Sequence, residues 1–341
     1  MNKKPIISCR DLSVHFPIGG GLLERKQFVR AVNNVNLSIP QGSFFGLVGE
    51  SGSGKTTLGR AFLRAVPITH GEINYSDGEK DYDLVDLPKK QLKEFRKRAQ
   101  LIFQDPYAAL SPRMTIRDII AEPLEVMNLT SSREETDELV REMAHKCRLN
   151  LEHLRRFPHA FSGGQRQRIS IARSLVSNPR FVVADESVAA LDVSIQADVL
   201  NLLKSLQSEL GSTYLFISHD LSVVAHICDM VAVMYLGQLI EVAPTRELFA
   251  TPRHPYTKAL LLSIPNLDPD YQNNAKKLEG EIPSPTNPPS GCKFHTRCPH
   301  VVEHCKVVEP LLEHPESSHD VACHRWEELM NIKEIPVANL A

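Results

Sequence analysis

Short apolar runs alternate along the chain with stretches that have helical spacing. Residues 5–48 hold several such runs separated by turns, and they predict strands. The last run, Phe44–Val48, is apolar throughout, which is typical of a parallel strand buried on both faces. A glycine-rich turn follows, and Thr56–Leu63 then has the spacing of a helix. Strand, glycine turn and helix in this order predict the start of a βαβ unit.

Two further apolar runs predict buried strands later in the chain, at Phe181–Ala184 and Tyr214–Ile217. Each ends in polar or charged residues, at the carboxyl end where parallel sheets carry their sites. Between the early strands and these runs, residues 114–158 are rich in charge and have helical spacing. From Pro265 the chain becomes rich in proline, which predicts a linker followed by a separate C-terminal segment.

The composition limits the class of protein. A length of 341 residues suggests about two domains, and 42% hydrophobic residues can form a sizeable core. Lys and Arg (39) nearly balance Asp and Glu (41), so the strong basic charge of a nucleic-acid-binding scaffold is absent from the sequence. The sequence contains no apolar run of about 18 residues and no secretory signal at its start. We therefore expect a soluble intracellular protein that does not bind nucleic acid.

The glycine-rich turn fits the phosphate-binding pattern G-x-x-x-x-G-K-[ST] at every fixed position. In such a loop the glycines let successive N–H groups point at phosphate oxygens, and the positive end of the next helix adds attraction. The lysine would reach the β- and γ-phosphates, and the first threonine would ligate Mg²⁺. The predicted ATP-binding residues of this turn are Gly49, Glu50, Ser51, Gly52, Ser53, Gly54, Lys55, Thr56 and Thr57.

The strand at Phe181–Ala184 delivers two carboxylates to its carboxyl end, Asp185 and Glu186. Asp185 is suited to hold Mg²⁺ through water, as in other P-loop enzymes. Glu186 can polarise the attacking water as a general base. Beside a phosphate-binding loop, this pair indicates hydrolysis of a nucleoside triphosphate.

A third motif, Ser162-Gly163-Gly164-Gln165, opens a segment with helical spacing over Arg166–Val176. Ser162 predicts an N-cap, and the two glycines permit close approach of the backbone to an anion. Phosphoryl transfer needs charge neutralised on both sides of the γ-phosphate, and a second glycine-capped helix end would supply it. On local grounds, an ordinary capped helix remains the alternative.

With these motifs in place, nearly the whole chain resembles an ABC-type ATPase. The resemblance equates residues 49–56 with the Walker A motif, Val182–Asp185 with Walker B, and Ser162–Gln165 with the ABC signature, with Phe161 where leucine is commoner. It further assigns Gln104 to the Q-loop, Ala190-Leu191-Asp192 to the D-loop, His219 to the switch histidine and Phe16 to the aromatic that stacks on adenine.

The resemblance implies a fold and a mechanism. The expected fold class is α/β, a P-loop NTPase of ABC type with a RecA-like core, an antiparallel β subdomain, a helical subdomain at about 112–160 and a small C-terminal extension. The expected domains are an ATPase domain at residues 1–264 and the extension at residues 265–341. Two ATPase domains would pair head to tail, with each ATP between the P-loop of one and Ser162–Gln165 of the other. Glu186, His219 and Gln104 would be catalytic, and Mg²⁺ would be held by Thr56, Gln104 and Asp185.

Two residues depart from the family pattern. Many relatives have proline after the catalytic glutamate and serine at the start of the D-loop, where this chain has Ser187 and Ala189. Because the groups that touch Mg²⁺ and water are present, we expect activity to survive. A nucleotide-binding subunit with poor hydrolysis stays open as an alternative.

Several stretches narrow the resemblance to oligopeptide and dipeptide importers. They are residues 105–115 after the Q-loop, His254–Leu260, Gly280–Pro285 and Gly291–Pro299, while Val14–Ile18 resembles the second, F-type, ATPase subunit. The implied function is the ATPase of a binding-protein-dependent importer, peripheral on the cytoplasmic face of the cell (inner) membrane. The implied partners are a second ATPase subunit, two permease subunits and an extracytoplasmic solute-binding protein.

The alternatives concern what the ATPase serves. Relatives of these importers move nickel, glutathione or oligosaccharides, and the ATPase subunit does not contact the substrate. A soluble ABC ATPase acting on DNA or ribosomes is disfavoured by the single cassette, the lack of a heptad run and the near-neutral charge. A small-molecule kinase is disfavoured because it would have no use for Ser162–Gln165 and His219.

Four of the seven cysteines crowd the end of the chain: Cys292, Cys298, Cys305 and Cys323. An intracellular chain favours a metal site over disulfides for such a group. Thiolates suit an iron–sulfur cluster or Zn²⁺, and the spacing lacks the C-x2-C pairing that is usual for structural zinc. Some members of the resembled family hold a [4Fe–4S] cluster here. We predict that cluster, with Zn²⁺ or free or disulfide-bonded cysteines as alternatives.

Overall fold

The structure is a computed structural model that describes residues 4–19, 27–189, 191–264, 280–316 and 318–330. The chain divides into two compact units, each made of three segments. The first unit comprises Met1–Ile7, Ile39–Ser43 and Asn74–Ile217. The second unit comprises Ser8–Ser38, Phe44–Ile73 and Ser218–Ala341.

The strands of the described residues are β1 (Pro5–Ile18), β2 (Gln27–Pro40), β3 (Phe44–Val48), β4 (His70–Ser76), β5 (Asp81–Asp83), β6 (Ala99–Ile102), β7 (Phe181–Asp185), β8 (Thr213–Ile217), β9 (Met230–Tyr235), β10 (Gln238–Pro244), β11 (Glu313–Glu316) and β12 (His319–Val321).

The α-helices of the described residues are α1 (Lys55–Phe62), α2 (Lys89–Arg98), α3 (Pro106–Ala109), α4 (Ile116–Val126), α5 (Arg133–Lys146), α6 (Gly163–Leu175), α7 (Val193–Leu210), α8 (Leu221–Ile227), α9 (Thr245–Ala250), α10 (Pro255–Leu262), α11 (Glu303–Val307) and α12 (Trp326–Met330). Short 3₁₀ helices cover Leu151–Arg155 and Pro158–Ala160. Within the described ranges, no helix has both the length and the apolar character that crossing a bilayer requires.

In the first unit, three parallel strands lie in the order β8-β7-β6. β7 and β8 are buried along their whole length, as strands covered on both faces are. These two strands confirm the predictions at Phe181–Ala184 and Tyr214–Ile217. Because the strands are parallel, their carboxyl ends share one edge of the sheet, and Asp185 ends β7 at that edge.

The helices of the first unit confirm the predicted helical region. α4 packs against α5 and α6, and Thr115 and Ser132 cap the first two of these helices through their hydroxyl groups. α6 begins at Gly163, directly after the predicted cap Ser162.

In the second unit, one sheet has the strand order β11-β12-β10-β9-β3. β3 pairs parallel with β9, and the other neighbours pair antiparallel. β3 is buried throughout, as predicted, and α1 follows the glycine turn. A second sheet of this unit contains most of β2, most of β1 and the start of β4, in that order. The division of domains at residue 265 stays a prediction, since residues 265–279 lie outside the described ranges.

Candidate nucleotide-binding site

The P-loop, residues 49–56, leaves the end of β3 and enters α1. Gly49, Gly52 and Gly54 have φ angles of 147°, 79° and 107°. Glycine adopts this half of conformational space without steric cost. A Cβ at Gly49 or Gly54 would also collide with a backbone carbonyl oxygen, that of Met234 or Ala31. The loop therefore curls tightly, as a backbone cradle for phosphate must.

Lys55 begins α1 and folds its side chain back over the loop. Its Nζ donates to the carbonyl oxygens of Gly49 (2.8 Å) and Glu50 (2.9 Å) and lies 3.5 Å from Ser53 Oγ. The residue is only 5% exposed. A phosphate would offer this buried ammonium a charged acceptor in place of neutral ones, and such bonds are stronger.

The remaining predicted loop residues differ in exposure. Thr56 and Thr57 are half-buried in the first turn of α1, and Ser51 is exposed. The Ser53 N–H donates to the Glu50 carbonyl (3.2 Å), which closes the turn before the helix.

Two further predicted residues belong to the same unit. The Ser218 N–H donates to the Leu47 carbonyl (3.2 Å), so His219 follows at the end of β3 from which the P-loop starts. Phe16 is half-buried on β1, which leaves part of its ring accessible, as stacking on adenine would require. The roles of His219 and Phe16 stay predictions.

The first unit brings the predicted general base and the Q-loop residue together. Asp185 is buried at the end of β7, and Glu186 follows with a φ of 45°, which is uncommon outside glycine. The Glu186 N–H donates to the Ile217 carbonyl (3.0 Å), which ties this turn to the end of β8. Gln104 Nε2 donates to Glu186 Oε2 at 2.7 Å. Unusual backbone conformations of this kind cluster at active sites.

Ser162 caps α6 with a reciprocal pair of hydrogen bonds. Its Oγ accepts from the Gln165 N–H (3.4 Å), and Gln165 Oε1 accepts from the Ser162 N–H (3.1 Å). This capping box confirms the predicted N-cap. It orients the first turn of α6 so that the helix starts on the two glycines of the motif.

The signature and the D-loop meet in the first unit. A Cβ at Gly164 would collide with Ile195 Cγ2 on α7, and one at Gly163 would lie 3.9 Å from Leu191 Cδ2. Asp192 precedes α7 and makes no side-chain cap to it. Ala190, the first residue of the predicted D-loop, lies outside the described residues.

Two residues near the C-terminus contact the P-loop and were missed by sequence reasoning. Arg297 places Nη1 2.8 Å from Glu50 Oε2 and Nη2 3.1 Å from Oε1. The Glu50 N–H donates to the Tyr256 hydroxyl oxygen (2.9 Å). Both residues lie in stretches that resemble the importer extension, and that position was the only available signal.

The four clustered cysteines line one cavity, which we call the cysteine cavity. Its lining includes Cys292, Cys298, Cys305, Cys323, His254, Phe294, His295, His300, His324 and Arg325. Backbone N–H groups point at three of the sulfurs: those of residues 294 and 295 at Cys292, of 300 at Cys298 and of 325 at Cys323. These hydrogen bonds favour thiolate.

Burial opposes ionisation of the same thiols. It raises the pKa of Cys292 to about 11 and that of Cys323 to about 12. In the part of the chain that the structure describes, no three His, Cys, Asp or Glu side chains are arranged to hold a metal ion. The four cysteines thus share a cavity without forming an assembled metal site, and the predicted [4Fe–4S] cluster stays a prediction.

Comparison with known proteins extends these findings. The family described as ABC transporter matches residues 32–189, and the family described as oligopeptide/dipeptide transporter, C-terminal region, matches residues 240–305. The dimeric post-hydrolysis structure of the ATP-binding cassette MJ0796 bound to ADP and Pi is similar, with a TM-score of 0.61 and 28% identity over 70% of this chain and 99% of that one. This similarity confirms the predicted ABC-type α/β fold.

Two curated relatives are similar over almost their whole length. The oligopeptide transport ATP-binding protein AppF of Bacillus subtilis (strain 168) is 48% identical over 95% of this chain and 98% of its own. The dipeptide transport ATP-binding protein DppF of Haemophilus influenzae is 46% identical over 94% of this chain and 96% of its own. With such identity over nearly the full chain, the protein belongs to the ABC transporter family, among the ATP-binding proteins of oligopeptide and dipeptide transport.

Proposed function

We propose that this protein is the ATP-hydrolysing subunit of a membrane importer for dipeptides and oligopeptides. The observation that carries the proposal is the P-loop, whose left-handed glycines and buried Lys55 are suited to cradle a phosphate. The chain is 48% identical to an oligopeptide transport ATP-binding protein, which supports peptides as the transported solutes. The subunit would act at the cytoplasmic face of the cell membrane with two permease subunits, a second ATPase and an extracytoplasmic binding protein.

In the proposed site, different residues bind ATP and Mg²⁺ and catalyse hydrolysis. Lys55 and the loop N–H groups would bind the β- and γ-phosphates, and Phe16 would stack on adenine. Thr56, Asp185 and Gln104 would hold Mg²⁺, which neutralises phosphate charge. Glu186 would take a proton from the attacking water. The 2.7 Å bond from Gln104 supports this role because it fixes the carboxylate of Glu186.

The signature would serve a second ATPase subunit paired head to tail. The first N–H groups of α6 have no partner inside the helix, and Gly163 and Gly164 add no side chain that would shield them. Such a helix start attracts phosphate. Ser162–Gln165 would therefore contact the ATP that the partner's P-loop holds, with His219 and Asp192 acting at the closed interface.

Two variants test the nucleotide site. Lys55→Ala should abolish ATP binding, and Glu186→Gln should retain binding while hydrolysis falls by about 10²–10⁴-fold, the usual contribution of a general base. Binding is measured by calorimetry and hydrolysis by phosphate release. Glu209→Gln, an exposed glutamate on α7, is the matched control and should hydrolyse ATP at the wild-type rate. Unchanged turnover in the Glu186→Gln variant would remove Glu186 from the mechanism.

The substrate class is tested by uptake. Cells lacking this chain should lose uptake of labelled dipeptides and oligopeptides, and wild-type protein but not Lys55→Ala should restore it. Co-purification from native membranes should yield two permease chains and a solute-binding protein. If uptake of nickel, glutathione or an oligosaccharide is lost instead, the protein is still an importer ATPase, but the proposed peptide substrate is wrong.

We also propose that the cysteine cavity holds a [4Fe–4S] cluster, with Zn²⁺ as the alternative. The convergence of Cys292, Cys298, Cys305 and Cys323 on one cavity supports this, as do the N–H groups aimed at three sulfurs, because such bonds stabilise metal-bound thiolates. The site would link the segments of the extension that carry the cysteines.

Metal analysis decides this second proposal. Protein purified without oxygen should contain iron and acid-labile sulfide, or zinc, and Cys298→Ser should lower that content. Cys228→Ser, a buried cysteine outside the cavity, is the control. Anaerobically purified protein without iron, sulfide or zinc would refute a metal role for the cavity.

A further inference from the structure

Glu50, the second residue of the P-loop, is bound to the C-terminal part of the chain by a paired contact. The Arg297 guanidinium donates two hydrogen bonds to the Glu50 carboxylate, at 2.8 and 3.1 Å. The Arg297 side chain is 4% exposed and that of Glu50 is 26% exposed. Bidentate arginine–carboxylate contacts fix both partners in orientation. Shielding from water makes this pair unlike surface ion pairs, which contribute little.

The main chain of Glu50 is held as firmly as its side chain. Its N–H donates to the Tyr256 hydroxyl oxygen at 2.9 Å, and its carbonyl accepts from Lys55 Nζ at 2.9 Å. Tyr256 is fully buried, and its ring centroid lies 4.7 Å from that of Tyr235 and 5.4 Å from that of Phe294. A shift of Glu50 would therefore move a carbonyl that positions Lys55.

Glu50 also poses an electrostatic problem for the P-loop. It places a carboxylate in a loop that would bind a polyanion, and like charges at short range repel. The Arg297 guanidinium cancels that charge at the carboxylate itself. The same contact thus fixes the loop and removes the repulsion.

We propose that Arg297 is a positioning residue for nucleotide binding, which acts by orienting Glu50 and neutralising its carboxylate. Lys55 and the loop N–H groups then meet ATP in a preformed cradle, so that less of the binding free energy goes into ordering the loop. The inference rests on the proposed nucleotide site. It gives the C-terminal extension a part in setting ATP affinity.

The test is the ATP affinity of the full-length protein, measured by calorimetry. Arg297→Met should weaken ATP binding by about tenfold or more, within the usual range of coupling between sites, because it leaves a free carboxylate beside the phosphates. Adding Glu50→Gln to Arg297→Met removes that charge and should restore most of the affinity. Arg297→Lys keeps the charge without the bidentate geometry, so its affinity should lie between those of wild type and Arg297→Met.

A matched control lies four residues before Arg297 in the chain. Lys293→Met breaks the ion pair with Glu309 (2.9 Å), which does not involve the P-loop, and should bind ATP within about twofold of wild type. Thermal unfolding of each variant separates loss of fold from loss of affinity. If Arg297→Met does not fold, Arg297→Lys with and without Glu50→Gln provides the same comparison.

Four outcomes decide between the proposed nucleotide site and the proposed role of Arg297. Wild-type affinity in the folded Arg297→Met variant would overturn the role of Arg297. A failure of Glu50→Gln to restore affinity would overturn the part of that role that consists in neutralising the carboxylate. Persistent ATP binding by Lys55→Ala would instead show that the nucleotide site itself is wrongly assigned. Loss of binding in Lys55→Ala with wild-type affinity in Arg297→Met would leave the nucleotide site intact and refute only the inference about Arg297.

Discussion

Among single residues, glycines in two motifs are required for different reasons. Gly49 and Gly54 combine a left-handed backbone with no space for a Cβ. Gly164 has an ordinary helical backbone, and the side chain of Ile195 alone excludes a Cβ there. The P-loop pattern predicts the glycines that need a left-handed backbone, since the curl of the backbone is local. It could not predict the requirement at Gly164, which depends on the packing of α6 against another helix.

Gly164→Ala should lower the free energy of unfolding by about 1–3 kcal/mol, because the new methyl group collides with Ile195 Cγ2. Gly163→Ala is the matched control: its Cβ makes an ordinary contact at 3.9 Å, and alanine favours the helix by about 1 kcal/mol over glycine. Chemical denaturation of both variants gives the comparison. Ile195→Ala combined with Gly164→Ala should recover part of the loss, and equal stability of the two glycine variants would contradict the packing explanation.

Among the elements, those with a strong local signal could be predicted from the sequence. β3, β7 and β8 are continuous apolar runs, and α6 starts at a serine-capped pair of glycines. β11 and β12 are only four and three residues long, and their pairing depends on contacts with distant strands. The contact between Arg297 and Glu50 could not be predicted for the same reason. The P-loop motif does not indicate which distant arginine binds its glutamate.

The start of α10 provides a test of pH dependence. His254 caps this helix, with Nδ1 accepting from the Tyr256 N–H at 3.0 Å. Burial lowers the pKa of His254 from 6.5 to about 4, so its ring is neutral in the folded protein. The unfolded chain takes up the proton first as the pH falls. The contribution of His254 to the free energy of unfolding is therefore complete above pH 6.5 and is lost as the pH falls from about 6.5 to 4.

His254→Asn should make stability less sensitive to pH over this range, since asparagine can still cap the helix and does not titrate. The free energy of unfolding in urea, measured at pH 7 and pH 5 for both proteins, gives the result. If wild type and variant lose equal stability between these two conditions, His254 is not the group responsible.

For the molecule as a whole, the buried carboxyl group of Glu241 on β10 connects several elements. This residue is fully buried and accepts from the N–H groups of Arg253 (2.7 Å) and His254 (3.0 Å). Its Oε1 also lies 2.7 Å from His319 Nε2 on β12. A β-bulge between Leu239 and Glu241 accompanies this inward placement. One carboxylate thus joins the sheet, the start of α10 and the C-terminal strand.

Glu241→Ala should therefore lower the free energy of unfolding by about 3–5 kcal/mol, because it leaves buried donors without their acceptor. Hydrogen exchange at β12 should accelerate in the same variant. Glu303→Ala removes an exposed carboxylate from the same extension and should change stability by no more than about 0.5 kcal/mol. Protection at β12 equal to that of wild type would show that backbone pairing alone holds this strand.

The contact between Arg297 and Glu50 also has a consequence for biosynthesis. The two residues are 247 positions apart, so they leave the ribosome at different times. At about 5–20 residues per second, the P-loop waits roughly 12–50 s for its arginine. During that interval the carboxylate of Glu50 has no counter-charge, and a nascent chain should bind ATP weakly. With the role proposed for Arg297, the nucleotide site would reach full affinity only after residue 297 has been synthesised and has met Glu50.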